Sequence, residues 1–433
     1  MPTSAHPETD RLLNRGFVGL LITQFLGAAN DNILKGVLSF GVAVGGIWAG
    51  QLPAGGQAVV GLCFTVPFIL FSGVGGQIAD RVSKQRVTLV VKAAEVGIAA
   101  VGLFGFLAGN LWVGLLAMLL LAIQSAFFGP AKYGMIPELV GHARLSQANG
   151  AINMLTNIAV IAGTFLAGKL YDLYHPAAAG TPDLVPDLTA PGLALLVVAA
   201  LGLASALLIP RLRPMAPHLK IDWNLFRPYV GSVRDMAKSS LIVVALAWAF
   251  FYLVGFMSLL VLPDYRHLLD ISATRASYLL GVLAIAIGLG SVSAGLISGR
   301  HIEPRLIPVG AVGMTTFFFL LGSVPPTYGS VATLLAGAGI FAGLYIVPLQ
   351  ALLQHLSPDH ERGRFLGTAN ALSFVASTLG SLVFWVARSP LDIPSNRVFL
   401  ICGTLSVLGT GVLLWFMRRL IADPSVRGTN VTP

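Results

Sequence analysis

Long apolar stretches separated by short polar connections dominate the pattern along this chain. Each stretch holds about 20 residues, enough for a helix to cross a hydrocarbon core roughly 30 Å thick. Twelve such runs occur, at residues 17–46, 56–79, 87–108, 112–138, 147–171, 191–210, 240–263, 276–299, 306–325, 330–356, 365–387 and 398–417. The pattern therefore predicts an all-α polytopic membrane protein with twelve spanning helices.

The composition supports the same class of protein. Hydrophobic residues make up 55% of the 433 positions and charged residues only 10%, whereas soluble domains carry about 25% charged residues. Glycine is abundant, with 49 residues, as expected where helices approach one another closely in lipid.

The basic residues cluster in alternate connections between the runs. Of the 27 Lys and Arg residues, 19 lie in the amino-terminal tail, in the carboxy-terminal tail or in connections on one side, including 211–239. The opposite connections hold only Arg266, Arg275, Arg388 and Arg397. By the positive-inside rule, both termini are expected in the cytoplasm. The net charge of +9 thus reflects membrane topology and does not indicate a nucleic-acid partner.

The chain carries few of the residues that build catalytic or metal sites. Its two cysteines, Cys63 and Cys402, both lie in apolar runs, which is typical of neither a disulfide framework nor a zinc site. No constellation for covalent catalysis and no phosphate-binding glycine loop is recognisable. We therefore expect a protein that is not an enzyme and that needs no cofactor or metal.

The longest polar connection, 211–239, separates an amino-terminal bundle (1–210) from a carboxy-terminal bundle (240–433), each with six runs. Three correspondences between the halves occur in order at a nearly constant offset. They are 76–86 with 295–305, Pro130 with Pro348, and 143–150 with 363–371. Two pseudo-symmetric six-helix bundles of the same orientation are the arrangement of major facilitator transporters, which bind substrate near the membrane midplane.

The connection GQIADRVSKQR, between the second and third runs, resembles the signature loop of that superfamily. Gly76 is expected to permit close helix approach, and Asp80 to accept hydrogen bonds at a helix N-terminus. The basic residues Arg81, Lys84 and Arg86 are expected to bind lipid phosphates or acidic partners. These residues form a predicted gate; the alternative is a positively charged loop that only sets topology.

Ionisable side chains inside the spans are functional candidates, because each costs a few kcal/mol to insert. They are Asp31, Lys35, Lys92, Glu95 and Lys132, all in the first half. Asp31 and Lys35 are four residues apart and are expected to share a helix face and partly neutralise each other. Lys92 and Glu95 are predicted to join the gating loop as a cytoplasmic charge network.

The predicted substrate-binding set combines charged and amide side chains. Its members are Asp31, Asn32, Lys35, Lys132, Asn149, Asn153, Gln350 and Asn370. The first and fourth helices line the cavity of major facilitator transporters, so Asp31 and Lys132 are expected to face the same space. A cavity charged on one wall and apolar on the other suits an amphiphile better than a sugar. The alternative is a hydrogen-bond network that only holds the helices together.

Four segments carry a more specific resemblance. QFLGAANDN, FFGPAKYGMIPEL, QANGAIN and VPLQALLQ are similar to the bacterial lysophospholipid transporters, most strongly over 17–165 and again around 340–375. The resemblance implies flipping of lysophospholipids, chiefly lysophosphatidylethanolamine, to the inner leaflet of the bacterial inner membrane for re-acylation. It points to Asp31, Asn32 and Lys132 as cavity residues. Asn153 stands where relatives commonly have Glu, and the seventh run lacks the Arg that some relatives carry.

Three functions remain open from the sequence. The first is a monomeric lysophospholipid flippase that serves a separate acyltransferase and works by alternating access. The second is a proton-coupled exporter of drugs or other amphiphiles, with Asp31 as the proton site; a neighbouring Lys35 argues against it, since a salt-bridged acid is a poor proton carrier near neutral pH. The third is a non-transporting scaffold, which the design in two halves disfavours.

Overall fold

The structure is a computed structural model that describes residues 12–141, 145–181, 183–224, 226–298, 302–357 and 362–422. Residues 143–144 and 299–301, which belong to two of the internal correspondences, lie outside the described residues. The helices are α1 (Arg15–Val42), α2 (Gln57–Arg81), α3 (Lys84–Leu107), α4 (Leu111–Val140), α5 (Leu145–Tyr174), α6 (Ala190–Ala206), α7 (Arg227–Met236), α8 (Leu241–Val261), α9 (Tyr265–Leu268), α10 (Ala273–Ser298), α11 (Leu306–Ser323), α12 (Tyr328–Leu356), α13 (Arg362–Arg388) and α14 (Val398–Ala422).

The predicted all-α membrane architecture is confirmed. Among the residues described, eleven helical segments are long and apolar enough to cross a membrane. The sixth predicted run forms α6, which is apolar but only 17 residues long. The short helices α7 and α9 lie outside the predicted runs or at their edge. Apolar run length therefore predicts the spans well, because a helix in lipid must satisfy its own backbone hydrogen bonds.

Local sequence explains several helix boundaries. At the start of α4, the Asn110 side chain accepts hydrogen bonds from the backbone N–H groups of Trp112 (2.9 Å) and Val113 (3.3 Å), which supplies partners to otherwise free donors. At the start of α12, Thr327 and Ser330 form a reciprocal capping box.

By packing, the chain divides into two compact units. Unit 1 comprises Met1–Gly41 and Cys63–Phe226, and unit 2 comprises Val42–Leu62 and Arg227–Pro433. The division after Phe226 falls inside the connection predicted at 211–239. The segment Val42–Leu62, which links α1 to α2, packs with the carboxy-terminal unit, and nothing in its sequence predicts this assignment.

Unit 1 is built around α3, which packs against both α4 and α6. A cluster of buried apolar side chains fills its interior, including Phe17, Leu20, Phe128, Met135 and Ile152. Helices α5 and α1 approach closely at Gly163, where a Cβ atom would lie 2.6 Å from the carbonyl oxygen of Ala29. This contact presses α5 against the part of α1 that carries the polar residues.

Unit 2 has two apolar clusters. One includes Val254, Met257, Phe318, Leu335 and Phe399, and the other includes Leu241, Ile307, Tyr345, Leu349 and Phe365. Helix α12 packs extensively against α10 and α11, and α8 against α13. Close packing of small residues, as at Gly339 against Ala286 and Leu283, is how membrane helices gain dispersion contacts without a hydrophobic driving force.

Candidate functional site

Asp31 lies on α1 and meets Ser125 of α4. The Ser125 hydroxyl donates to the Asp31 carboxylate, at 3.1 Å from Oδ2 and 3.3 Å from Oδ1. The carboxylate also interacts electrostatically with Glu95, Lys92 and Lys35. It is half-buried, and a single hydroxyl leaves most of the four lone-pair positions of a carboxylate open. The Asp31 carboxyl can therefore accept further hydrogen bonds.

Lys35 interacts with Asp31 electrostatically and donates a hydrogen bond to Asn32. Its Nζ donates to Oδ1 of Asn32 at 2.8 Å and lies 5.0 Å from the ring centroid of Phe64, while its interaction with Asp31 is electrostatic and not hydrogen-bonded in the described residues. Asn32 in turn donates its Nδ2 to the carbonyl of Ala28 at 2.8 Å. Asn32 is thus oriented from both ends, with Lys35 as one of its partners.

Lys132 of α4 is 8% exposed. Its Nζ lies 4.4 Å from the ring centroid of Tyr133, and it interacts electrostatically with Lys92 and Asp31. Asp31 and Lys132 therefore belong to one electrostatic neighbourhood within unit 1, although they are far apart in sequence.

The Lys92–Glu95 pair lies elsewhere than in the predicted loop network. Lys92 Nζ is 2.6 Å from Glu95 Oε2, and both residues are almost fully buried. Glu95 also accepts hydrogen bonds from Asn30 of α1 and Gln124 of α4. The pair therefore lies among helices α1, α3 and α4 and contacts Asn30, the residue before Asp31. Its gating role stays a prediction.

Lys84, at the start of α3, forms an ion pair with Glu138 of α4, and its Nζ lies 2.6 Å from Glu138 Oε1. Asp80, Arg81 and Arg86 are exposed. The backbone carbonyl of Asp80 accepts hydrogen bonds from the N–H groups of Met215 (3.1 Å) and Ala216 (2.8 Å). The end of α2 is thereby tied to the connection that follows α6.

Close approach of α2 to α4 occurs at Gly75 and not at Gly76. A Cβ atom on Gly75 would lie 3.0 Å from the carbonyl oxygen of Ala126, whereas one on Gly76 would make only an ordinary contact, at 3.9 Å from Pro130. The prediction for Gly76 was wrong by one residue, because the sequence does not reveal which of two adjacent glycines faces the neighbouring helix.

The remaining predicted residues lie on α5, α12 and α13. The side chain of Asn149 on α5 lies outside the described residues, and Asn153 on the same helix is exposed. In unit 2, Gln350 of α12 is half-buried and Asn370 of α13 is exposed. Their predicted contact with substrate stays a prediction.

Sequence reasoning missed a second buried charged network, in unit 2. Asp264 lies just after α8 and accepts hydrogen bonds from Gln57 Nε2 (2.5 Å), Ser395 Oγ (2.7 Å) and Val44 N (3.3 Å). Its Oδ2 is 3.3 Å from Arg388 Nε, and Arg266 donates to the carbonyl of Gly45. These residues attach the α1–α2 connection to unit 2.

The signal for the missed residues was weak. Asn30 adjoins Asp31, which the sequence singled out, whereas Ser125 adjoins no predicted residue, and a lone serine or asparagine in a span is common. Arg266 and Arg388 were treated only as topology markers. In the part of the chain that the structure describes, no group of three or more His, Cys, Asp or Glu residues could hold a metal ion.

The fold and this charged cluster in a helical membrane protein define a transporter class. Residues 20–381 match the model of the Major Facilitator Superfamily. Solved structures of similar fold include a POT family transporter in complex with 5-aminolevulinic acid (TM-score 0.71, 13% identity, 94% of this chain and 96% of that chain) and a D-xylose–proton symporter (TM-score 0.68, 17% identity, 92% and 96%). At this identity they support the fold alone. The chain belongs to the major facilitator superfamily.

Curated relatives narrow the assignment. The chain is 30% identical to the lysophospholipid transporter LplT of Cronobacter sakazakii over 86% of this chain and 87% of the relative. It is also 30% identical to that of Escherichia fergusonii, over 97% and 100%. Within the superfamily, the chain is a member of the lysophospholipid transporter family.

Proposed function

We propose that this protein flips lysophospholipids from the outer to the inner leaflet of the bacterial inner membrane by alternating access. The observation that carries the proposal is Asp31 on α1, whose carboxylate accepts hydrogen bonds from Ser125 of α4 within helices long and apolar enough to cross a membrane. Helix α4 also carries the base Lys132, which is 8% exposed. Charges there are costly and mark substrate pathways. The relatives that are 30% identical over most of the chain are named lysophospholipid transporters.

The headgroup of lysophosphatidylethanolamine matches this pair, because it carries one ammonium and one phosphate. Asp31 receives the ammonium through the acceptor positions that Ser125 leaves open. Lys132 receives the phosphate, for which an ammonium with three donors is well suited. The acyl chain needs only apolar surroundings, which lipid itself supplies. We therefore take lysophosphatidylethanolamine as the principal substrate.

We infer the orientation of the chain in the membrane from the distribution of Lys and Arg, which favours cytoplasmic termini. Delivery to the inner leaflet gives a lysolipid to a separate acyltransferase that restores the second acyl chain. We propose that the carrier acts as a monomer in this cycle, with each molecule holding its own headgroup site.

The decisive experiment measures lysophosphatidylethanolamine flipping in proteoliposomes for Asp31→Asn. Loss of a hydrogen bond to a charged group costs about 1.5–3 kcal/mol, so flipping should fall roughly 10- to 100-fold. The control is Asp270→Asn, which neutralises an exposed loop carboxylate whose backbone φ of 50° asparagine also tolerates. This control should flip at the unaltered rate.

Two outcomes contradict the proposal. A full rate in Asp31→Asn eliminates pairing of this carboxylate with the headgroup. A strict requirement for a pH gradient, together with drug export and no lysolipid flipping, favours the proton-coupled exporter instead.

A further inference from the structure

Helix packing alone does not explain the buried pair Lys92–Glu95. Both residues lie on α3, three positions apart, with 0% and 1% of their surface exposed. Burying two charges costs desolvation energy that their mutual attraction often fails to recover. Well-packed apolar residues would hold these helices together at least as well. A role that depends on the charges themselves is therefore expected.

Glu95 receives three donors from three helices. Its Oε2 accepts from Lys92 Nζ (2.6 Å) and from Gln124 Nε2 of α4 (3.2 Å), and its Oε1 accepts from Asn30 Nδ2 of α1 (2.9 Å). One carboxylate thus orients an amide on each of the two helices that carry Asp31 and Ser125. A carboxylate accepts only, so neither amide can turn its oxygen towards it.

The two amides directly precede the residues of the headgroup site. Asn30 adjoins Asp31 on α1, and Gln124 adjoins Ser125 on α4. Gln124 Nε2 also lies 3.2 Å from Ser125 Oγ, which in turn donates to Asp31. Contacts therefore run without interruption from Glu95 through Gln124 and Ser125 to Asp31.

The space around Lys92 is shaped for its side chain. A Cβ atom on Gly27 of α1 would lie 2.5 Å from Lys92 Nζ, and one on Gly202 of α6 would lie 3.8 Å from Lys92 Cδ. On another side the ammonium lies 5.0 Å from the ring centroid of Phe128. Lys92 is held in place from several helices, and it in turn holds Glu95.

We propose that Glu95, fixed by Lys92, is a positioning residue that holds Asn30 and Gln124 so that Asp31 and Ser125 present the headgroup acceptor. The inference rests on the proposed function, in which Asp31 receives the ammonium. It assigns the pair to substrate recognition instead of gating.

The first test is independent of any substrate. In a chain with Cys63→Ala and Cys402→Ala, Asp31→Cys and Ser125→Cys place thiols at the two facing positions. Disulfide formation demands that the two Cα atoms lie within about 7 Å, so replacing Glu95 by Gln should slow oxidative cross-linking roughly tenfold. An unaltered cross-linking rate overturns the proposal, whatever the carrier transports.

The second test separates positioning from folding. In the native chain, Glu95→Gln should raise the KM for lysophosphatidylethanolamine several-fold, with a smaller change in kcat, and Glu95→Asp should recover part of the loss. The matched control is Asp235→Asn, which breaks the ion pair with Lys238 at the end of α7, a lysine–carboxylate pair of the same three-residue spacing whose side chains are exposed. The control should leave KM and kcat unchanged.

If Glu95→Gln folds poorly, the double variant Lys92→Met/Glu95→Gln removes both charges and restores folding. Its KM should stay raised, whereas a purely structural pair predicts recovery of KM together with folding. Failure of the proposed function gives a different result: Asp31→Asn flips at the full rate while cross-linking still depends on Glu95.

Discussion

The two units bury charge in different places. Unit 1 carries Asp31, Lys92, Glu95 and Lys132 within its membrane-spanning helices. In unit 2, α8 and α11 contain no charged residue, and the network around Asp264 lies at helix ends and in connections. Charges in the middle of a span face the largest desolvation cost and mark functional sites such as substrate pathways. Charges at the ends of a span hold connections in place. We therefore propose that unit 1 recognises the substrate and that the network of unit 2 holds the α1–α2 connection in place.

The strongest test of this contrast is Asp264→Asn. The substitution leaves Arg388 buried, at 6% exposure, without its carboxylate, and removing one partner of a buried pair costs about 3–5 kcal/mol. The thermal unfolding midpoint in detergent should drop clearly, while lysolipid flipping per folded molecule stays unchanged. Loss of flipping with an unchanged unfolding midpoint would mean that the network of unit 2 acts in transport, and it would contradict the contrast between the two units.

A smaller effect is expected from filling a close helix contact in each unit. Gly163→Ala introduces a Cβ at 2.6 Å from the Ala29 carbonyl and 3.1 Å from Asn32 Cβ, and Gly339→Ala introduces one at 2.8 Å from the Leu283 carbonyl. Overpacking of this kind costs about 1–3 kcal/mol in either unit. Only Gly163→Ala should also slow flipping, because it displaces α1 next to Asp31. Equal flipping rates in the two folded variants would contradict this assignment.

The smallest effect tests unit 2 for a contribution to binding. Gln350 is half-buried on α12, and a neutral hydrogen bond contributes about 0.5–1.5 kcal/mol, so Gln350→Leu should raise the KM roughly 2- to 10-fold at most. This is less than the effect of Asp31→Asn in the same assay. A larger effect at Gln350 would make recognition a shared property of both units.

Much of the site was predictable as a set of residues and little of it as a set of contacts. Asp31 and Lys132 stand out because an ionisable side chain in an apolar run is rare and expensive. The hydrogen-bond partner of Asp31 does not stand out, because Ser125 lies 94 positions away in the chain. Glu95 does stand out, but its contact with Asn30, 65 positions away, does not. The predicted Asp31–Lys35 interaction followed from helix spacing, and the two residues do interact electrostatically, but the spacing did not predict that Lys35 would donate its hydrogen bond to Asn32.

The sequence by itself determined the membrane class, the helical spans, the family and the charged residues inside the spans of unit 1, but not the buried charges around Asp264. These depend on run length, composition and local periodicity, which neighbouring residues define. Only the tertiary structure decided that Glu95 contacts Asn30 next to Asp31, that Gly75 and not Gly76 closely approaches α4, and that Val42–Leu62 packs with unit 2. The rotation of each helix and its choice of neighbour depend on packing between segments distant in the chain, and no local pattern records them.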